Sequence, residues 1–182
     1  GKVGPVAGPG DGSDLGISDA ILMAMGQGPV TWTPLHAANA YATLARGGAV
    51  VPPTILDDGR GPRVVGEARL NSSAVEAALE GLFGSVNDRR GTGSTIGFAE
   101  GREKIFNAPG VRVWGKTGTA EAPDLRDDPD GDGPEAPRVV RSGDHAWFGI
   151  LVAPEHGAPR FAVSVLIEYG GSGGRVAGPV AN

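Results

Sequence analysis

A chain of 182 residues with 40% hydrophobic content is long enough to bury a core of its own, as one domain or a large piece of one. Its formal net charge of −5, with no basic run, argues against nucleic acid as a main partner and against a polybasic membrane patch. Cysteine is absent, which excludes disulfides, a thiolate nucleophile and Cys-ligated zinc.

Residues 1–17 are rich in Gly, Pro and Asp and lack periodicity, so they read as a loop. No signal-peptide pattern opens the chain, and any anchor is expected outside it. Ser18 to Met25 suits a short helical turn before Gly26-Gln27-Gly28-Pro29. The first long helix is predicted from Pro34 to Arg46. Thr33 is a good N-cap, Pro34 fits the first helical position, and Leu35, Ala38, Ala42 and Ala45 share a face. Gly47-Gly48 should end it. Ala49 to Leu56 reads as extended and broken by Pro52-Pro53.

A second helix is predicted from Ala74 to Val86. Ser73 and Glu76 have the spacing of a capping box, and Val75, Leu79, Leu82, Phe83 and Val86 recur at helical spacing. Gly91 to Asn107 reads as a connector. Three strands follow: Val111 to Ala120, His145 to Val152 and Phe161 to Ile167, the last two joined by a hairpin-like turn at Pro154–Pro159. Trp147 reads as core and His145 as a polar strand start. Between the first two strands, residues 122–143 read as an acidic Pro/Gly-rich loop insertion carrying Asp124, Asp127, Asp128, Asp130, Asp132 and Glu135. The longest apolar runs, such as Ala146–Ala153, fall far short of the ~18–20 residues of a membrane span. The fold class expected is α+β, an antiparallel sheet with helices packed on it.

Three motifs match by letter only. Gly110 to Thr117 fits the G-x-x-x-x-G-K-T phosphate-loop pattern, but its middle residues Val-Arg-Val-Trp are strand-like and no long helix follows. Asp128-Pro129-Asp130-Gly131-Asp132-Gly133 resembles half of a calcium loop, yet its twelfth position is Val139 where a bidentate Glu is needed. It reads as a solvated acidic loop, so no metal or cofactor is expected. Ser85-Val86-Asn87 has a Ser-x-Asn form, but Val86 belongs to the apolar face of the predicted helix.

Lys116-Thr117-Gly118-Thr119 has a better setting: an apparent strand followed by two more apolar strands. K-T-G accompanies Ser-x-x-Lys in serine acyl-enzymes. Further runs stand around it: Gly26-Gln27-Gly28, Thr33-Pro34-Leu35, Ala40 to Gly48, Asp144-His145-Ala146-Trp147-Phe148, Gly170-Gly171-Ser172-Gly173-Gly174 and Val176 to Ala181. Together, in this order, they resemble the C-terminal part of the transpeptidase domain of class B penicillin-binding proteins, of the elongation type. The resemblance covers roughly residues 26–181 and implies a partial serine β-lactamase/transpeptidase fold, with residues 1–182 forming the C-terminal portion of one such domain.

That resemblance implies acyl transfer on peptidoglycan stem peptides ending in D-Ala-D-Ala, trapped by β-lactams in the intact enzyme. It implies an extracytoplasmic location beside the inner membrane, an anchor outside this chain and a candidate glycosyltransferase partner. It assigns Lys116 a positive charge toward the substrate carboxylate and help in proton transfer. Thr117 and Thr119 become candidate carboxylate ligands through their hydroxyls. Gly118 would let the substrate backbone approach the strand edge. The Thr119 N–H would be one of two oxyanion donors. From pattern alone, Lys116 is equally an edge-strand lysine and the threonines ordinary strand residues.

No Ser-x-x-Lys and no credible Ser-x-Asn occurs in the 182 residues. The expectation is therefore a chain without its serine nucleophile, unable by itself to form an acyl-enzyme. The rival readings are a class D-like β-lactamase or β-lactam sensor domain, and a non-catalytic transpeptidase-like scaffold module.

Overall fold

A computed structural model describes residues 16–29, 31–56, 59, 61–127 and 137–182. The acidic run Asp128 to Gly133, with its calcium-like spelling, lies outside the described residues. The architecture is α+β. Helices α2 (Pro34–Ala45) and α3 (Ser72–Asn87) pack on a sheet formed by β5 (Val111–Ala120), β8 (His145–Pro154) and β9 (Phe161–Ile167), and helix α1 (Ile17–Ala24) precedes them. The sheet is antiparallel in the order β5-β8-β9. Short hairpins pair β1 (Ala49–Val50) with β2 (Gly66–Glu67), β3 (Thr95–Phe98) with β4 (Gly101–Lys104), and β6 (Leu125–Asp127) with β7 (Arg138–Arg141). A π-helical turn (Gly173–Ala177) and a short α4 (Gly178–Ala181) close the described chain.

Helix α2 starts as expected: the Thr33 hydroxyl accepts from the His36 N–H at 3.3 Å, and Pro34 occupies the first turn. The start of α3 differs from the predicted capping box. Asn71 is the cap, and its Oδ1 accepts from the backbone of Ser73 at 2.9 Å and of Ala74 at 3.4 Å. Asn ranks with Ser as a cap, and the Asn71 carboxamide also takes the Ser73 hydroxyl at 2.6 Å, which moves the start upstream.

Two segments read as loops hold hairpins. The connector 91–107 contains β3 and β4, and the acidic segment 122–143 contains β6 and β7. β4, β6 and β7 are exposed throughout and β3 half-buries only Thr95 and Ile96, so no apolar alternation could announce them.

Strand β8 is central and packed on both sides, which is why its sequence is almost continuously apolar. Val113, Phe148 and Ile150 meet Val86 of α3, Ile105 and Ala177 on one face. Trp114, Leu151 and Ala153 meet Tyr41 and Ala45 of α2 and Leu79 and Leu82 of α3 on the other. Helix α3 therefore contributes to both faces and lies along β5. Trp147, expected in the core, is half-buried, while its neighbours Ala146 and Phe148 are fully enclosed. Ser85-Val86-Asn87 sits in the last turn of α3 with Val86 buried, as the periodicity requires.

Candidate functional site

Strand β5 is an edge of its sheet, and different groups cover different parts of that edge. At its start the Asn87 side chain donates to the Val113 carbonyl at 2.9 Å. Further on, Lys116 Nζ donates to the Thr117 carbonyl at 2.9 Å and Gln27 Nε2 to the Thr119 carbonyl at 3.1 Å. In an antiparallel ladder, alternate residues turn both N–H and C=O toward the partner strand and the rest turn them away. Three odd-numbered carbonyls bonded from outside β8 identify 113, 115, 117 and 119 as the outward row. The Thr119 N–H belongs to that row, facing where a further strand would add.

Side chains alternate as well. Trp114, Lys116 and Gly118 share the α2 face, whereas Val113, Thr117 and Thr119 share the Phe148 face. Lys116 and the threonines thus leave the strand on opposite faces. They meet at the edge because the exposed Lys116 side chain curls round it, placing Nζ 3.4 Å from Thr117 Oγ1. Thr119 is exposed, and Thr117 and Gly118 are half-buried.

The Thr117 hydroxyl has a partner that the sequence did not single out, the Thr92 hydroxyl at 2.9 Å. Thr92 is held between two tightly packed glycines. A Cβ at Gly91 would stand 2.3 Å from the Ser85 carbonyl oxygen, and one at Gly93 would stand 2.6 Å from the Phe148 ring. Gln27, likewise missed, is flanked by glycines in the loop after α1. The Gly-Gln-Gly and Gly-Thr-Gly spellings were the available signals, and neither says which strand the middle residue will touch.

The wall behind the strand is built from close backbone contacts. A Cβ at Gly173 would stand 2.3 Å from both the Gly118 and Trp147 carbonyl oxygens. The turn through Gly170 to Gly174 therefore presses directly on the Lys-Thr-Gly segment. On the α2 face the Tyr41 ring lies over Gly149, the cross-strand partner of Lys116, where a Cβ would come within 2.6 Å of ring carbons. Burial pushes the Tyr41 phenol up from 10.0 to about 12. His145 sits at the strand start as expected, its Nδ1 accepting from the Tyr169 N–H at 3.0 Å. The Tyr169 hydroxyl donates to the Pro123 carbonyl at 3.0 Å, tying down the segment that leaves β5.

Among the described residues, no group of three or more His, Asp or Glu side chains is placed to hold a metal ion. The phosphate-loop reading of residues 110–117 fails on geometry. Residues 111–120 are continuous strand, without the compact nest of amides that a phosphate needs.

Comparison with known proteins shows the family to which the chain is similar. The family model described as the penicillin-binding protein transpeptidase domain matches residues 3–182. A relative named peptidoglycan D,D-transpeptidase MrdA, from Haemophilus influenzae, is 31% identical over 172 residues, covering 90% of this chain and 24% of the relative. Peptidoglycan D,D-transpeptidase PbpA of Mycobacterium tuberculosis is 30% identical over 192 residues, covering 98% of this chain and 32% of the relative. Penicillin-binding protein 3 of Bacillus subtilis is 32% identical over 120 residues, covering 65% of this chain and 16% of the relative. The chain spans between 24% and 32% of the length of the first two relatives.

Proposed function

The chain belongs to the penicillin-binding protein transpeptidase family, and we propose that it is the C-terminal, substrate-binding portion of a class B, elongation-type peptidoglycan D,D-transpeptidase. One observation carries this reading: Lys116 to Thr119 lie on the edge strand of the sheet, inside a family match covering residues 3–182. In the whole protein a serine attacks the penultimate D-Ala carbonyl of a stem peptide, D-Ala leaves, and the amine of a second strand takes the acyl group. β-Lactams are trapped by the same serine.

The roles follow from the edge. Lys116 supplies positive charge toward the substrate carboxylate and assists proton transfer. Thr119 offers its hydroxyl to the carboxylate and its N–H to the oxyanion. The Thr117 hydroxyl, already paired with Thr92, is oriented rather than free to turn. Gly118 keeps the rim low enough for an extended peptide to lie along it. Its substrate places the whole protein on the extracytoplasmic side of the inner membrane, with a glycosyltransferase as a working partner. Among the described residues, no helix is long and apolar enough to cross a membrane.

The test is covalent labelling of the whole protein with a tagged penicillin, read by intact mass. The expected result is one stoichiometric adduct that is not turned over rapidly. Lys116→Ala should slow its formation by about 10²-fold or more. A wild-type protein that takes no label, or that hydrolyses the penicillin with rapid turnover, overturns the proposal.

A further inference from the structure

Gln27 stands where α1 ends, and its backbone is fixed there. Gly26 has φ 77°, its N–H donates to the Met23 carbonyl at 3.0 Å, and the Gln27 N–H donates to the Leu22 carbonyl at 2.9 Å. These are the paired bonds of a Schellman motif, which requires a left-handed residue at the Gly26 position. A Cβ at Gly28 would stand 3.2 Å from the Leu22 Cβ, so the chain also packs closely just beyond. From this anchored point the half-buried Gln27 side chain reaches 92 positions along the sequence to donate to the Thr119 carbonyl at 3.1 Å.

The Thr119 carbonyl belongs to the outward row of β5. An extended ligand that pairs with an outward residue exchanges two bonds with it, taking its N–H and supplying an N–H to its C=O. Gln27 occupies the second of these positions. We infer that Gln27 is a specificity-determining residue of the strand edge, a displaceable plug whose carboxamide holds the Thr119 carbonyl until an amide N–H of the ligand takes its place. The inference rests on the reading of β5 as the substrate-binding edge. Its consequence is a narrowed choice between ligands. A ligand with an amide N–H at this point must break the Gln27 bond to make its own, trading one amide–carbonyl bond for another. A ligand without one leaves the Gln27 bond in place and loses nothing, so Gln27 reduces the preference for N–H ligands that the bare carbonyl would show.

The experiment measures acylation of the full-length protein by two probes, benzylpenicillin and the same compound methylated at its side-chain amide nitrogen, the one that carries a hydrogen. Rates are read by intact mass for wild type, Gln27→Ala and Gln27→Glu. If Gln27 and the ligand N–H compete, the rate advantage of the N–H probe rises when Gln27 is removed. The expected rise is about threefold to tenfold, the range of one exposed hydrogen bond. Gln27→Glu should move the ratio in the same direction, because a carboxylate cannot donate to a carbonyl, and it decides the matter if the alanine variant folds poorly. An unchanged ratio, or one that falls, overturns the inference while leaving the transpeptidase reading intact. Failure of wild type to take either probe overturns both.

Discussion

Tyr41 shows how a single side chain ties the site to the core. Its ring takes the space that a side chain at position 149 would fill, opposite Lys116 across the sheet. Burial favours the neutral phenol, so the folded-state pKa rises from 10.0 to about 12. The sign follows: this contribution to stability is complete below about pH 10 and is lost as pH climbs from about 10 to about 12. Tyr41→Phe has no such titration. Between about pH 9 and about pH 11, the variant should therefore lose less stability than wild type, measured by urea unfolding at each pH. Equal losses would mean that the phenol ionises without penalty in the folded state. Lys116 and Thr119 were singled out in the sequence because the runs around Lys-Thr-Gly-Thr, in their order, resemble a transpeptidase domain. Tyr41 was legible only as part of a helix, since nothing local says that its ring will meet a glycine more than a hundred positions away.

At the scale of elements, the site depends on how closely the glycine-rich turn after β9 can lie against β5. Gly173 has no room for a Cβ, which would stand 2.3 Å from two backbone oxygens. Gly173→Ala must push the turn away from Gly118 and Trp147. It should cost about 3 kcal/mol or more by overpacking, measured by denaturant unfolding, and should slow penicillin acylation by moving the edge. A variant with wild-type stability and acylation would show that the turn yields freely. The helices α2 and α3 and the three main strands were readable in order from periodicity and apolar runs, because each buries a face. The hairpins β3–β4 and β6–β7 were not, because three of their strands are fully exposed and β3 half-buries only two residues. The cap of α3 was misplaced by two residues, since Asn71 and Ser73 are competing caps and only their geometry separates them.

At the scale of the whole molecule, α3 and Asn87 close the first half of the β5 edge, leaving the second half to Lys116, Gln27 and whatever lies along it. No Ser-x-x-Lys occurs in the 182 residues, so the transpeptidase reading proposed above puts the attacking serine outside them. The isolated chain should therefore take no stoichiometric penicillin adduct under conditions that label the whole protein, and an adduct on it would locate a nucleophile within these residues. By itself the sequence determined the α+β class, the antiparallel three-strand core and the motif strand. Apolar period, strand-breaking turns and four adjacent letters are local properties, and they survive without knowledge of contacts. Only the tertiary structure decided which backbone groups of β5 face outward, that Gln27 holds the Thr119 carbonyl and that Thr92 holds the Thr117 hydroxyl. Those bonds join residues 92 and 25 positions apart. Such pairings are set by how helices and turns pack on the sheet, and no spacing along the chain encodes them.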